Sequence, residues 1–127
     1  MQIDIDFFNA SEFDARLKCT IQKTGKLGFN EVAINKLQLS DRKGIKIGRN
    51  KENQDEENLY MVIVDEISTD AFKINKAGKY YYVNTKTLFD KLGFDYRNIN
   101  IMFDIVEIEN GDRVVYKLIK REVSRKK

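Results

Sequence analysis

Two stretches of this chain nearly repeat each other: KTGKLGFN at 23–30 and KAGKYYYVN at 76–84. Ile21, Lys23, Gly25 and Lys26 match Ile74, Lys76, Gly78 and Lys79 at a constant offset of 53. Ala33, Ile34, Leu37 and Leu39 match Leu88, Phe89, Leu92 and Phe94 at an offset of 55. The two extra residues fall between turn glycine and helix, where a loop absorbs them. At the same offset of 55, Leu59, Met61 and Ile63 meet Val114, Tyr116 and Leu118. The pattern predicts one strand, strand, helix, strand, strand unit present twice, at 16–65 and 71–120.

The local signals support each element. Leu17, Cys19 and Ile21 alternate with Lys18, Thr20 and Gln22, the period-two pattern of a strand with one face in a core. After a turn at Thr24 and Gly25, Leu27 and Phe29 resume it. Asn30 is expected to cap a helix, because its side-chain oxygen can accept from the free amides of the first turn. Glu31 suits the positive end of the helix dipole, and Ala33, Ile34 and Leu37 form an apolar helical face. Ser40–Gly44 reads as a loop, Ile45 and Ile47 as a strand, 49–58 as a polar loop and LYMVIV at 59–64 as the closing strand.

In the second half Phe72 and Ile74 alternate with Lys73 and Asn75, Gly78 turns the chain and Tyr80–Val83 extends it. Asn84 takes the place of Asn30 as cap, Leu88, Phe89 and Leu92 make the helical face, and Gly93 stops the helix. IMFDIVEI at 101–108 and RVVYKLI at 113–119 read as a hairpin with Asn110 and Gly111 at its turn. Residues 1–15, where Phe7, Phe8 and Phe13 stand among acids, read as an edge strand or as an arm capping a barrel mouth. Residues 122–127 read as a basic tail.

One unit of this size cannot bury its apolar faces alone, but two can cover each other. The expected fold is therefore a single domain over 1–127, mainly β with two short helices. Its two tandem ββαββ units are expected to interleave their hairpins in a pseudo-two-fold β-barrel, which removes exposed strand edges.

The chain has no histidine and one cysteine, Cys19. Ser-His and Cys-His nucleophilic pairs are excluded, as are a Cys/His zinc site and an internal disulfide. Cys19 sits where a strand buries a small apolar residue. Asp104 and Glu107 lie within a predicted strand. The acidic run Glu52, Asp55, Glu56 and Glu57 lacks the ligand spacing and glycine of an EF-hand. Neither the Asp-Thr-Gly of aspartic proteases nor the Gly-Ser of self-processing decarboxylases occurs. A protein without catalysis, cofactor or metal is expected.

The opening MQIDIDFFNA carries acids where a secretory signal carries bases, and no apolar run approaches the roughly 20 residues of a spanning helix. A cytoplasmic location without membrane association is expected. NAS at 9–11 matches a glycosylation acceptor, which has meaning only for a secreted chain.

GKLGFNEVAINKLQLSDRKGIKI at 25–47 resembles the AbrB/MraZ/MazE swapped-hairpin group, whose units run glycine, basic residue, apolar strand, short helix ending in leucine, loop and strand. Gly25, Lys26, Leu27, Phe29, Leu37, Leu39, Ile45 and Ile47 fall on the matching positions without a gap. Two units in one chain is the MraZ-type arrangement, and the resemblance implies a DNA-binding regulator. The chain departs from the group in having Asn30 and Asn84 where proline is usual, Arg42 where a loop glycine is usual, and lysines for the arginines that contact DNA.

The candidate interface is basic and aromatic. Lys18, Lys23 and Lys26 in the first half, and Lys73, Lys76 and Lys79 in the second, cluster around the two turns. On one face of a two-fold barrel they would neutralise phosphates. Tyr80 and Tyr82 share a strand face opposite to Tyr81 and can stack on bases, and Arg97 and Tyr96 extend such a surface. The plainer role of these lysines is edge protection and solubility, and the net charge is only +3. The expected function is a DNA-binding regulator or accessory protein in transcription that contacts phosphates without catalysis. The alternative is a protein-interaction module, paired with an operon-encoded protein or with itself.

Overall fold

The computed structural model describes residues 2–8, 10, 16–53 and 57–124. Phe13, the 9–11 acceptor sequence, Asp55, Glu56 and the last three basic residues of the tail therefore lie wholly or partly outside the described residues.

The first half runs β1 (Lys18–Ile21), β2 (Leu27–Phe29), α1 (Glu31–Lys36), a 3₁₀ turn (Leu39–Asp41), β3 (Gly44–Gly48) and β4 (Leu59–Val64). The second runs β5 (Phe72–Lys73), β6 (Asn75–Ala77), β7 (Tyr80–Val83), α2 (Lys86–Lys91), β8 (Ile99–Asn110) and β9 (Arg113–Ser124). The last hairpin is longer than the sequence pattern predicts. Its loop is Gly111 and Asp112, because Asn110 already pairs with Arg113. The predicted tail is strand as far as Ser124.

All nine strands form one antiparallel sheet in the order β5-β3-β4-β9-β8-β1-β2-β7-β6. The ends of that order are neighbours in the chain. Only Ile74 separates β5 from β6, and its N–H donates to the Lys43 carbonyl at 3.0 Å. The extended segment Phe72–Ala77 thus pairs with β3 at its start and with β7 at its end, which nearly closes the sheet into a barrel. The halves are interleaved: β1 pairs with β8, β2 with β7, β3 with β5 and β4 with β9. They are unequal in size, since β8 and β9 have 12 residues each where β3 and β4 have 5 and 6.

Period-two alternation fills the interior. Cys19, Ile21, Leu27, Phe29, Met61, Ile63, Val83, Ile101, Phe103 and Leu118 point inward and are buried. Ala33 and Leu37 of α1 and Phe89 of α2 close onto the same core. Phe89 stacks on Phe94 and Phe103 at 5.6 and 6.5 Å between centroids. Burial pushes the Cys19 thiol far up, and the nearby Asp104 carboxylate adds to this, so Cys19 is an apolar core residue.

Asn30 caps α1 as expected: its Oδ1 accepts from the Ala33 N–H at 2.9 Å and from the Lys18 N–H at 3.2 Å. Its amide donates to the Arg16 carbonyl at 3.0 Å, so one side chain ties the helix to the entry of β1. Asn84 does not repeat this role. Thr85 stands at the start of α2, makes no capping bond, and donates its buried hydroxyl to the Gly25 carbonyl at 2.8 Å. The helix thus begins one residue later than the sequence pattern predicts, and the side chain at its start is engaged by a distant turn instead of capping.

Candidate nucleic-acid interface

The outer face of β1, β2 and β7 gathers part of the predicted site. Inward burial of Cys19, Ile21, Tyr81 and Val83 forces Lys18, Thr20, Tyr80 and Tyr82 outward. Gly28 of β2 lies opposite both Thr20 and Tyr82 in register. A Cβ added at Gly28 would sit 1.6 Å from the Tyr80 hydroxyl oxygen, so the Tyr80 phenol lies across this bare strand position. Tyr80 and Tyr82 stack at 6.0 Å with 24° between planes. Lys26 Nζ stands 4.6 Å from the centre of the Tyr82 ring. No acid occupies the outward positions Lys18, Thr20, Gly28, Tyr80 and Tyr82 of these strands or Asn75 and Ala77 of the adjoining β6, while at the β8 edge Asp104 lies opposite Lys18 and is paired with Arg121. The result is a two-ring shelf with a cation over one ring, a surface that can take a base by stacking and a phosphate by charge. Burial raises the Tyr80 phenol above the usual tyrosine range.

The other predicted residues are distributed around this shelf. Because β2 and β7 are antiparallel, with Leu27 opposite Val83, their preceding turns lie at opposite ends of the ladder. Lys23 is exposed at one end and Lys79 at the other, roughly 13 Å apart along a four-residue strand. Lys76 faces the other side of β6, its Nζ 5.8 Å from the Tyr81 ring. Lys73 lies on β5 beside Gly44 of β3, away from the shelf. The six lysines therefore do not make one cluster. Lys18 and Lys26 join the tyrosines, Lys23 and Lys79 flank them, and Lys73 and Lys76 stand elsewhere.

The two turns differ in packing. The first is clamped: Thr85 bonds to Gly25, and a Cβ at Gly25 would lie 2.7 to 2.8 Å from Lys86 atoms. The second stands off α1 and leaves a cleft of about 700 Å³ lined by Lys76, Lys79, Tyr80, Glu31 and Asp41 among others. Two lysines facing two acids make it less suited to phosphate than the shelf.

Tyr96 and Arg97 do not extend the surface. Tyr96 is fully buried, donates its hydroxyl to Asp90 at 2.5 Å, and carries the Arg97 guanidinium 5.0 Å from its ring centre. Lys120, just before the predicted tail, lies 4.9 Å from the centre of the Phe94 ring and pairs with Glu57 and Glu122 at 3.4 and 2.9 Å. Gly28 belongs to this candidate surface although the sequence pattern does not single it out. Its signal is a glycine inside a strand pattern, which marks close approach of another group.

Among the described residues no group of three or more Cys, Asp or Glu side chains is placed to hold a metal. No helix among them is long and apolar enough to cross a membrane. Compared with known proteins, the chain matches no family model, no curated protein and no solved structure.

Proposed function

We propose that this protein is a non-catalytic nucleic-acid-binding regulator or accessory factor, using the outer face of β1, β2 and β7. The observation that carries the reading is the Tyr80–Tyr82 stack at 6.0 Å with Lys26 4.6 Å over Tyr82, on three strands whose own outward residues include no acid. Bases stack on the tyrosines, and Lys18, Lys26 and the flanking Lys23 and Lys79 contact phosphates. Such contacts fix position rather than sequence, and each phosphate contact steepens the salt dependence. The AbrB-like resemblance of residues 25–47 supports the same class.

Labelled single- and double-stranded DNA titrated at low and moderate salt tests it. A Lys18→Glu, Lys26→Glu variant is expected to lose binding about 10-fold or more, and Tyr82→Ala roughly 1–3 kcal/mol of base stacking. Lys73→Glu is expected to change little. Equal affinity in all these variants, or none at low salt, refutes the reading.

A protein-interaction module is the second reading, favoured by the large exposure of Ile3, Phe7, Val114 and Val123. A single stoichiometric protein partner, with no affinity for DNA, would select it.

A further inference from the structure

A second concave surface lies away from the tyrosine shelf. A groove of about 630 Å³ runs between the loop after β3 and the tip of the β8–β9 hairpin. Its floor is apolar: Val62 of β4 and Val115 of β9 point away from the core, and Ile108 of β8 is paired with Val115. Val115 is only 6% exposed yet stands outside the core cluster. Arg49, Lys51 and Arg113 line the rim, together with Lys46. Of the two lining acids, Asp70 is held by Lys46 at 3.2 Å and Glu109 remains.

The chain also carries a segment with the matching pattern. In Gln2–Phe8, Ile3, Ile5 and Phe7 alternate with Asp4 and Asp6, and no base occurs. Such alternation belongs to a strand lying on an apolar surface. Here it has none, for Ile3, Ile5 and Phe7 are 79%, 57% and 81% exposed. Extended, Ile3–Phe7 spans roughly 17 Å. A single chain thus leaves both the acidic apolar segment and the basic apolar groove uncovered.

We propose that segment 2–8 of one copy docks in the groove of a second copy. Its apolar side chains cover the half-buried Val62 and Ile108, and Asp4 and Asp6 meet Arg49, Lys51 and Arg113. Reciprocal exchange gives a closed two-fold dimer. The interface uses none of the shelf residues, so its failure and that of the nucleic-acid reading are separable.

Sedimentation equilibrium of the full chain across a concentration series tests the proposal. The wild type is expected to dimerise, more weakly at about 0.5 M salt than at low salt. The variants Asp4→Lys with Asp6→Lys, and Arg49→Asp with Arg113→Asp, are each expected to raise the dimer dissociation constant about 100-fold, and an equimolar mixture of the two to recover a dimer. These positions are exposed, so thermal melts equal to the wild type's at concentrations low enough for all to be monomeric confirm folding. Tyr82→Ala leaves the dimer intact. A wild type that stays monomeric throughout, or a dimer indifferent to both charge reversals, overturns the proposal.

Discussion

Gln38 holds the left-handed conformation, φ 53°, that follows α1, and it is the one non-glycine residue with positive φ among the described residues. Gly93 stands at the matching place after α2. There the Phe94 N–H donates to the Phe89 carbonyl at 3.1 Å and the Gly93 N–H to Asp90 at 3.2 Å, completing a Schellman cap with Phe89 stacked on Phe94. Left-handed backbone costs a side chain about 1 kcal/mol. Gln38→Gly is therefore expected to stabilise the protein by roughly 0.5–1 kcal/mol, and Gly93→Ala to destabilise it by about as much, in urea unfolding. Asp104 makes a second residue-scale case. It is nearly buried, its Oδ2 accepts from the Arg121 Nε, and its Oδ1 has no hydrogen-bond partner among the described residues. Arg121→Ala would leave a buried carboxylate unpaired, at a cost of about 2–3 kcal/mol after allowance for the half-exposed arginine. Equal urea midpoints for wild type and variant would refute that account.

At the scale of elements, the two turns show why matching sequence does not fix matching packing. Gly25 and Gly78 both have positive φ, but Gly25 is pressed against α2 whereas nothing lies within 4 Å of a Cβ at Gly78. Gly25→Ala is expected to cost roughly 3 kcal/mol, combining backbone strain with a clash against Lys86, and Gly78→Ala only about 1 kcal/mol. Equal losses in thermal melts would mean that the clamp on α2 carries no energy. The long β8–β9 hairpin is the other element that distinguishes the halves. Past Asp104, where its pairing with β1 ends, β8 continues against β9 and brings Ile108 opposite Val115 at the floor of the second groove.

For the whole molecule, pH response follows from groups spread over the barrel. Hydrogen bonds from Ser68 and Lys46 hold the Asp70 carboxyl below the usual range, and those from Lys86 and Tyr96 do the same for Asp90. Their stabilisation is present above the ordinary carboxylate pKa of about 3.9 and is lost as pH falls through the lower folded values. Tyr80 and Tyr116 are raised chiefly by burial, and Tyr96 by its hydrogen bond to Asp90. That stabilisation is intact below about pH 10 and is lost as pH rises through the raised folded values. Thermal melts across pH should show a plateau with two falling limbs, and Asp90→Asn should make both limbs shallower. Unchanged limbs in that variant would contradict the assignment.

Local pattern determined much of this protein. Alternation placed β1, β4 and β7 within a residue of their ends, because a strand's side chains must divide between core and solvent wherever the strand lies. Asn30 and Gly93 were legible because caps are made by neighbours in the chain. The fate of Asn84, Thr85 and Tyr96 was not, since it depends on contacts with distant residues or on burial. The lysines were legible as charges and not as a site: the antiparallel pairing of β2 with β7 sends the turns to opposite ends, while Gly28 draws Tyr80 and Tyr82 beside Lys26. Periodicity is a property of short range and survives in one dimension, whereas which cations become neighbours is set by sheet register and closure, which only the assembled barrel has.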